Sequence, residues 1–256
     1  MLFVIGDLLL RLCSLHDVTL CFVPGYEIKH VLGLQRGKSD PLDTCRIREY
    51  GERFYDRLHP CFYHSEEMSE LQELYRTRAF LVESRKRLST FDKGDNCKSS
   101  VSQTVARSRS SILSQLDAQI ANLEHEIEAL IQSFPELSRN YQILISIVGV
   151  GLVTGCELII KTENFRRLDT ARKCAFYAGI APYPNESGTK KHKHKISPMG
   201  DKQLKTLLFL CARSAKDHNK EMRLYFLKKY EVEKKHFFVV MNNIANKLLR
   251  LIYNLI

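Results

Sequence analysis

The chain has 256 residues, 44% of them apolar, and carries 39 Lys and Arg against 29 Asp and Glu for a formal net charge of +10. That length and apolar share exclude a wholly disordered chain and allow one large domain or two modest ones with cores of their own. The surplus is concentrated, with ten basic and three acidic residues from Arg166 to Lys205, and points to a polyanionic partner, nucleic acid first, or to a solubility patch.

The opening M-L-F-V-I-G-D-L-L-L-R has no basic start and is broken by Asp7, so it does not read as an export signal. Residues 1–62 alternate short apolar runs, such as Leu20 to Val23, with helical stretches, and this zone reads as an α/β unit. Inside it, R-G-K-S-D-P-L-D-T (36–44) sets Asp40 and Asp43 three apart. On a helix both carboxylates project on one side, where they could hold Mg2+. Equally, Asp at a helix start caps amides and complements the dipole.

Residues 63–138 lack the α/β alternation. Leu116, Ile120, Leu123, Ile127, Leu130 and Phe134 recur in steps of four and three, a coiled-coil seam, and Met68, Leu71, Leu74, Leu81 and Leu88 form a rougher version. The polar stretch S-T-F-D-K-G-D-N-C-K-S-S (89–100) between them predicts a turn, and the whole an antiparallel helical hairpin. The longer seam either mediates dimerisation or packs on its own chain.

Residues 139–256 read as mainly helical. The apolar run 143–160 reaches spanning length, but three glycines, Ser146, Thr154 and Glu157 argue against a membrane helix. Its S-I-V-G-V-G-L-V-T-G predicts a Gly-x-Gly turn between two helices, with Gly149 and Gly151 leaving amides open to a phosphate, as in helix-hairpin-helix DNA binders, or serving packing alone. Next, N-E-S-G-T-K-K-H-K-H-K-I-S-P-M-G (185–200) is read as a loop. The lysines around His192 and His194 disfavour a metal cation, and no carboxylate or cysteine nearby completes a ligand set. Ser187 could attack a phosphodiester, with Lys190, Lys191, Lys193 and Lys195 holding phosphates. Asp201 can cap a helix with the apolar face Leu204, Leu207, Leu208, Cys211, Ala212 and Ala215, and a last apolar stripe runs from Phe237 to Leu255. The eight cysteines have no zinc or redox spacing and read as reduced, packed side chains in a cytosolic protein.

In this order, A-R-K-C-A-F-Y-A-G-I-A-P-Y-P-N-E-S-G-T-K (171–190) and I-S-P-M-G-D-K-Q-L-K-T-L-L (196–208), preceded by V-G-V-G-L-V-T-G-C-E-L-I-I and N-F-R-R-L-D-T-A-R, resemble the C-terminal domain of transposases of insertion-sequence family 110. G-L-Q-R-G-K-S-D-P-L-D-T (33–44) resembles the second half of that family's RuvC-like catalytic domain. The fold class implied is α+β but predominantly helical: a partial RuvC-like, ribonuclease-H-like fragment over 1–62, a coiled-coil hairpin over 63–138, and a mainly α transposase domain with a helix-hairpin-helix-like element over 139–256.

The resemblance implies a DNA transposase or site-specific recombinase of a bacterial insertion sequence. Four acidic residues of the family hold a divalent metal, Mg2+ here, and Asp40 and Asp43 match the last two. Ser187 matches the serine proposed as nucleophile, while Ser197, in I-S-x-x-G, is a poorer match. Lys190, Lys191, Lys193, Lys195 and Lys202, with Gly149 and Gly151, are expected to contact nucleic acid. Partners implied are DNA, a structured guide RNA and further copies of the chain through the coiled coil, in the bacterial cytoplasm at the nucleoid, with no membrane. The first Asp and the Glu of the acidic set find no match, since Met1 falls about where that Glu is expected. The expectation is an N-terminally shortened copy with impaired activity. The alternative is a non-catalytic, basic, helical protein that binds DNA or RNA.

Overall fold

A computed structural model describes residues 2–33, 37, 39–61, 65–95, 102–187, 190–196 and 199–256; in it the side chains of 2–5, 7, 92–95, 183–187 and 190–196 are left undescribed. The chain falls into two compact units, Met1–Ser65 and Glu66–Ile256.

The first unit holds helices α1 (Leu2–Leu15), α2 (Gly25–Val31) and α3 (Asp40–Arg53), followed by a 3-10 turn at Tyr55–Arg57. Tyr50, nearly fully buried, donates its hydroxyl to Glu27 Oε1 at 2.6 Å and so ties α3 to α2. The α/β alternation expected here is not seen among the described residues. Leu20, at the start of the predicted apolar run, forms an isolated bridge to Cys61 and no sheet. A single bridge with no further paired strand among the described residues of this unit does not make a stable sheet. Leu10 of α1 is buried, but Leu8, Leu12, Leu15, Val18 and Phe22 of α1 and its exit are exposed.

The second unit begins with the predicted hairpin, α4 (Glu66–Asp95) against α5 (Gln103–Ser133). The seam residues Leu116, Ile120, Leu123 and Leu130 are half-buried and Ile127 fully buried. They face α4 of the same chain, where Leu71 is also fully buried. Bridges across the pair align it: Arg78 Nε donates to Glu124 Oε1 at 2.8 Å, and Arg85 pairs with Asp117. The predicted turn at 89–100 begins late, because α4 continues to Asp95. No proline interrupts it, and Thr90 Oγ1 donates a hydrogen bond to the Lys86 carbonyl at 2.8 Å, within the helix.

The hairpin's base shares a continuous core with the rest of the unit. Leu71, Ile127 and Ile131 join Leu144, Leu158, Ile159, Leu204, Leu208, Met241, Ile244 and Leu248, all essentially without solvent contact. Each such side chain contributes about 1.5–3 kcal/mol of burial free energy. The elements supplying them are α6 (Pro135–Ser146), α7 (Leu152–Thr162), α8 (Ala171–Tyr177), α9 (Lys202–His218), α10 (Lys220–Leu227) and α11 (Phe237–Leu255). Residues 143–160 thus divide between α6, a turn and α7, and among the described residues no helix is long and apolar enough to cross a membrane. Between α8 and α9 the expected loop is an antiparallel strand pair, β1 (Pro182–Ser187) and β2 (Lys190–Ile196), with an irregularity between Tyr183 and Asn185. Its lysines and histidines are poor predictors of strand, so only the local pairing of the two arms reveals it.

Candidate active site

In the first unit, Asp40 opens α3, with Ser39 at the N-cap position and Pro41 fixing the first turn. Asp43 lies one turn on, as the spacing predicts. Its carboxylate accepts from Arg46 Nη1 at 2.9 Å, and Arg46 Nη2 donates in turn to the Gly37 carbonyl at 3.0 Å. The charge is therefore already compensated on its own helix. Among the described residues no group of three or more His, Cys, Asp or Glu could hold a metal ion. Two carboxylates, one of them held by a guanidinium, do not by themselves make the oxygen cage that a divalent ion of this kind requires.

In the second unit, the Ser187 strand pair is fixed at its two roots. Ser187 ends β1 and pairs in register with Lys190, Glu186 with Lys191 and Asn185 with His192. At the first root, the Ile180 carbonyl accepts from Asn242 Nδ2 at 2.8 Å and from Asn246 Nδ2 at 3.1 Å, both on α11. At the second root, Gly200 lies against Gly179: a Cβ on Gly200 would fall 2.5 Å from the Gly179 Cα, 2.6 Å from its nitrogen and 2.9 Å from the Ala178 carbonyl carbon. The Asp201 amide then donates to the Tyr177 carbonyl at 2.8 Å, closing the segment. Ser197, the weaker serine candidate, lies outside the described residues.

Asp201 is also the hub of a polar network that the sequence did not announce. Its Oδ1 caps α9 by accepting from the Leu204 amide at 2.8 Å. Its Oδ2 lies 3.0 Å from Lys161 Nζ and 3.4 Å from the Tyr177 hydroxyl. Burial opposes the charge of Asp201, but the Leu204 amide and the Lys161 ammonium outweigh it and hold the carboxyl below its ordinary range. Deeper in, Glu157 is 1% exposed. Its Oε2 accepts from Gln203 Nε2 at 3.3 Å, while its Oε1 has no hydrogen-bond donor among the described residues and sits 3.9 Å from Lys161 Nζ. Burial pushes the Glu157 carboxyl up, only partly countered by Lys161. Tyr75 of α4 also faces Glu157, and burial raises its hydroxyl too. The signal available in sequence was Glu157 and Lys161 one helical turn apart inside an otherwise apolar helix.

A carboxyl whose folded-state pKa lies above its unfolded value costs stability once ionised. Stability then rises as pH falls through the folded value and levels off below the unfolded one. Glu157→Gln should therefore raise the thermal midpoint at neutral pH by about 2–4 °C, the shift that about 1 kcal/mol produces in a chain of this size. Scans at decreasing pH should show the variant and the parent converging towards about pH 4.

The Gly149-Val150-Gly151 turn joins α6 to α7, and its two glycines differ. Gly149 has φ +100°, and a Cβ there would meet the Cys211 carbonyl oxygen at 2.6 Å, so its reason is close packing on α9. Gly151 is exposed, precedes α7 without a side-chain cap, and a Cβ there would meet nothing within 4 Å. Urea unfolding should show Gly149→Ala destabilised by about 3 kcal/mol and Gly151→Ala within about 0.5 kcal/mol of the parent. Any effect of Gly151→Ala on nucleic-acid affinity would then be a direct one. The lysines at 190, 191, 193 and 195 lie on β2, and Lys202 is exposed in the first turn of α9. Burial pushes the thiols of Cys156 up to about 12 and Cys174 up to about 11, which leaves neither as a competing nucleophile.

Comparison with known proteins bears on both units. Residues 141–227 match the model of the Transposase IS116/IS110/IS902 family, and residues 4–90 match a second transposase model, the DEDD type of IS110, a family generally dependent on a divalent metal. The pilin gene-inverting protein of Moraxella bovis is 31% identical over 54% of this chain and 43% of its own length. The insertion element IS110 uncharacterized 43.6 kDa protein of Streptomyces coelicolor is 34% identical over 48% of this chain and 29% of its own length. A probable family 20 transposase of Pseudomonas aeruginosa is 29% identical over 40% of this chain and 29% of its own length. The chain spans less than half the length of these curated relatives. The Asp40 helix lies inside the segment that matches the second model, and the Gly-x-Gly turn and the strand pair lie inside the segment that matches the Transposase IS116/IS110/IS902 family, so a segment of each unit is similar to transposases of that type.

Proposed function

We propose that this chain acts on DNA as an insertion-sequence transposase or site-specific recombinase, with Ser187 as the attacking group. The observation that carries this reading is the strand pair itself: a serine at the end of β1, register-paired to a strand of lysines, and pinned at both roots inside the family's matched segment. Ser187 Oγ would attack a backbone phosphorus, forming a serine–phosphate ester as one P–O bond to the DNA breaks. The serine proton is lost and the departing DNA oxygen gains one. Attack on that ester by a hydroxyl of another DNA end restores the serine and joins new partners. Lys190, Lys191, Lys193, Lys195 and Lys202 hold phosphates and offset charge gathering on the phosphoryl oxygens, and the open amides after Gly151 add an anion contact.

Asp40 and Asp43 are this chain's contribution to a metal-holding acidic set of RuvC-like type, and a divalent ion held there would offset charge gathering on the phosphoryl oxygens. An element-encoded structured RNA choosing the sites, assembly of copies through the α4–α5 hairpin, action at the nucleoid and reduced activity complete the reading. The Arg46 pairing of Asp43 favours a second reading, a nucleic-acid-binding protein without chemistry.

Incubation with element-end DNA and Mg2+, followed by denaturation, should trap a low yield of protein-linked DNA that maps by peptide sequencing to Ser187. DNA binding without any adduct, or an adduct mapped to another residue, would overturn the catalytic reading and leave the binding one.

A further inference from the structure

We infer that one face of α9, together with the start of α11, is a platform for a nucleic-acid strand with unpaired bases. The inference rests on the nucleic-acid reading above but not on the chemistry of Ser187. Lys202, Lys205, Phe209 and Arg213 recur at three- and four-residue steps and so form one stripe along α9. Lys202 and Lys205 are exposed and have no acidic partner among the described residues. The acids nearby are engaged elsewhere: Asp201 pairs with Lys161, and Asp217, which also feels Arg213, pairs with Lys216. Two exposed lysines without an acidic partner among the described residues, with Arg213 further along the same stripe, fit a polyanion rather than a protein surface of mixed charge.

The second half of the observation is aromatic. The Phe209 ring lies 5.8 Å from that of Phe238, tilted by 32°, and Phe238 lies 5.6 Å from the His236 imidazole at 28°. The three rings form a tilted row that starts half-buried at Phe209 and ends on exposed residues, Phe238 being 62% exposed. Phe209 rests against the core and Phe237 packs edge-on against Phe238, but the outer ring, Phe238, and His236 beside it stay open to solvent, where an exposed apolar ring adds little to the core. The backbone that presents it is unusual too. A single π-helical turn at Lys228–Val232 leads to Lys234 in the left-handed region, φ +51°. A base can extend the row only if it is unstacked from its own neighbour, so a single strand fits and a duplex, which offers only base edges, does not.

The test is fluorescence anisotropy of the full chain with labelled oligothymidylate, oligouridylate and a DNA duplex of equal length. The doubly substituted His236→Ala, Phe238→Ala chain should lose about tenfold to a hundredfold in affinity for the single strands. Its duplex affinity should stay within about twofold and its salt dependence unchanged. Phe238→Trp should bind single strands at least as tightly as the parent. Lys205→Gln with Arg213→Gln should lower the salt slope by about 0.7 per charge. The thymidylate and uridylate arms tell DNA from RNA. Unchanged single-strand affinity in the aromatic variant, or equal loss for both single strands and duplex, would overturn the platform. So would a change in self-association by sedimentation with no change in nucleic-acid binding, which would make a second copy the occupant. Ser187→Ala should leave these affinities as they are, so the platform and the nucleophile fail separately.

Discussion

Gly200→Ala is expected to abolish cooperative unfolding of the second unit, or to lower its stability by more than about 4 kcal/mol, the range reserved for a few severe mechanisms. Three backbone atoms, the Cα and nitrogen of Gly179 and the carbonyl carbon of Ala178, lie within 3.0 Å of where the new methyl would sit. A side chain could rotate away, but these atoms belong to the end of α8, which Asn242 and Asn246 hold through the Ile180 carbonyl. Opening the crossing would also stretch the Asp201 amide from the Tyr177 carbonyl and pull Asp201 from Lys161. Urea titration followed by circular dichroism measures the loss, with exposed Lys202→Ala, two residues on, as the control within about 0.5 kcal/mol. Gly179 has φ +65°, so Gly179→Ala is strained as well, and because the two residues touch the double variant should not be additive.

Ser187→Ala should reduce the yield of protein-linked DNA by at least about a thousandfold, as loss of a nucleophile does when no neighbour substitutes for it. The buried, high-pKa Cys156 and Cys174 cannot take over. Affinity for element-end DNA should hold within about twofold, because a serine hydroxyl contributes little beside the lysines of β2. Lys193→Gln should show the opposite pattern, weaker binding with a salt slope smaller by about 0.9, and adducts restored at higher DNA concentration. Gel analysis after denaturation, alongside equilibrium binding before it, separates the two. An adduct surviving Ser187→Ala would remove the residue from the reaction.

What the sequence disclosed follows from periodicity. The Leu116–Leu130 seam, the α9 face headed by Leu204 and the cap at Asp201 repeat at helical spacing, so each was legible residue by residue. The strand pair was not, because Lys and His carry no strand signal and the pairing depends on partners across a turn. The α/β reading of the first unit rested on runs such as Leu20 to Val23, which has one isolated bridge and no neighbouring strand among the described residues. Gly200 gave no warning of its role, since its contact with Gly179 is a meeting of two backbones that no side-chain pattern encodes. Glu157 was visible as a misplaced charge, but its partners on α4 and α9 lie far along the chain.

The crossing at Gly179 and Gly200 has a consequence for how such proteins diversify. Since the Tyr177 carbonyl and the Asp201 amide are joined by a hydrogen bond of 2.8 Å, the residues between them enter and leave the helical core at one point. The segment is therefore a cassette: its length and basic content can drift, or be grafted from one relative to another, while α8 and α9 keep their seats. On the DNA reading proposed above, exchange of residues 182–199 with those of a relative, which leaves the buried Ile180 and Ala181 in place, should transfer DNA preference and leave the melting behaviour of the recipient intact.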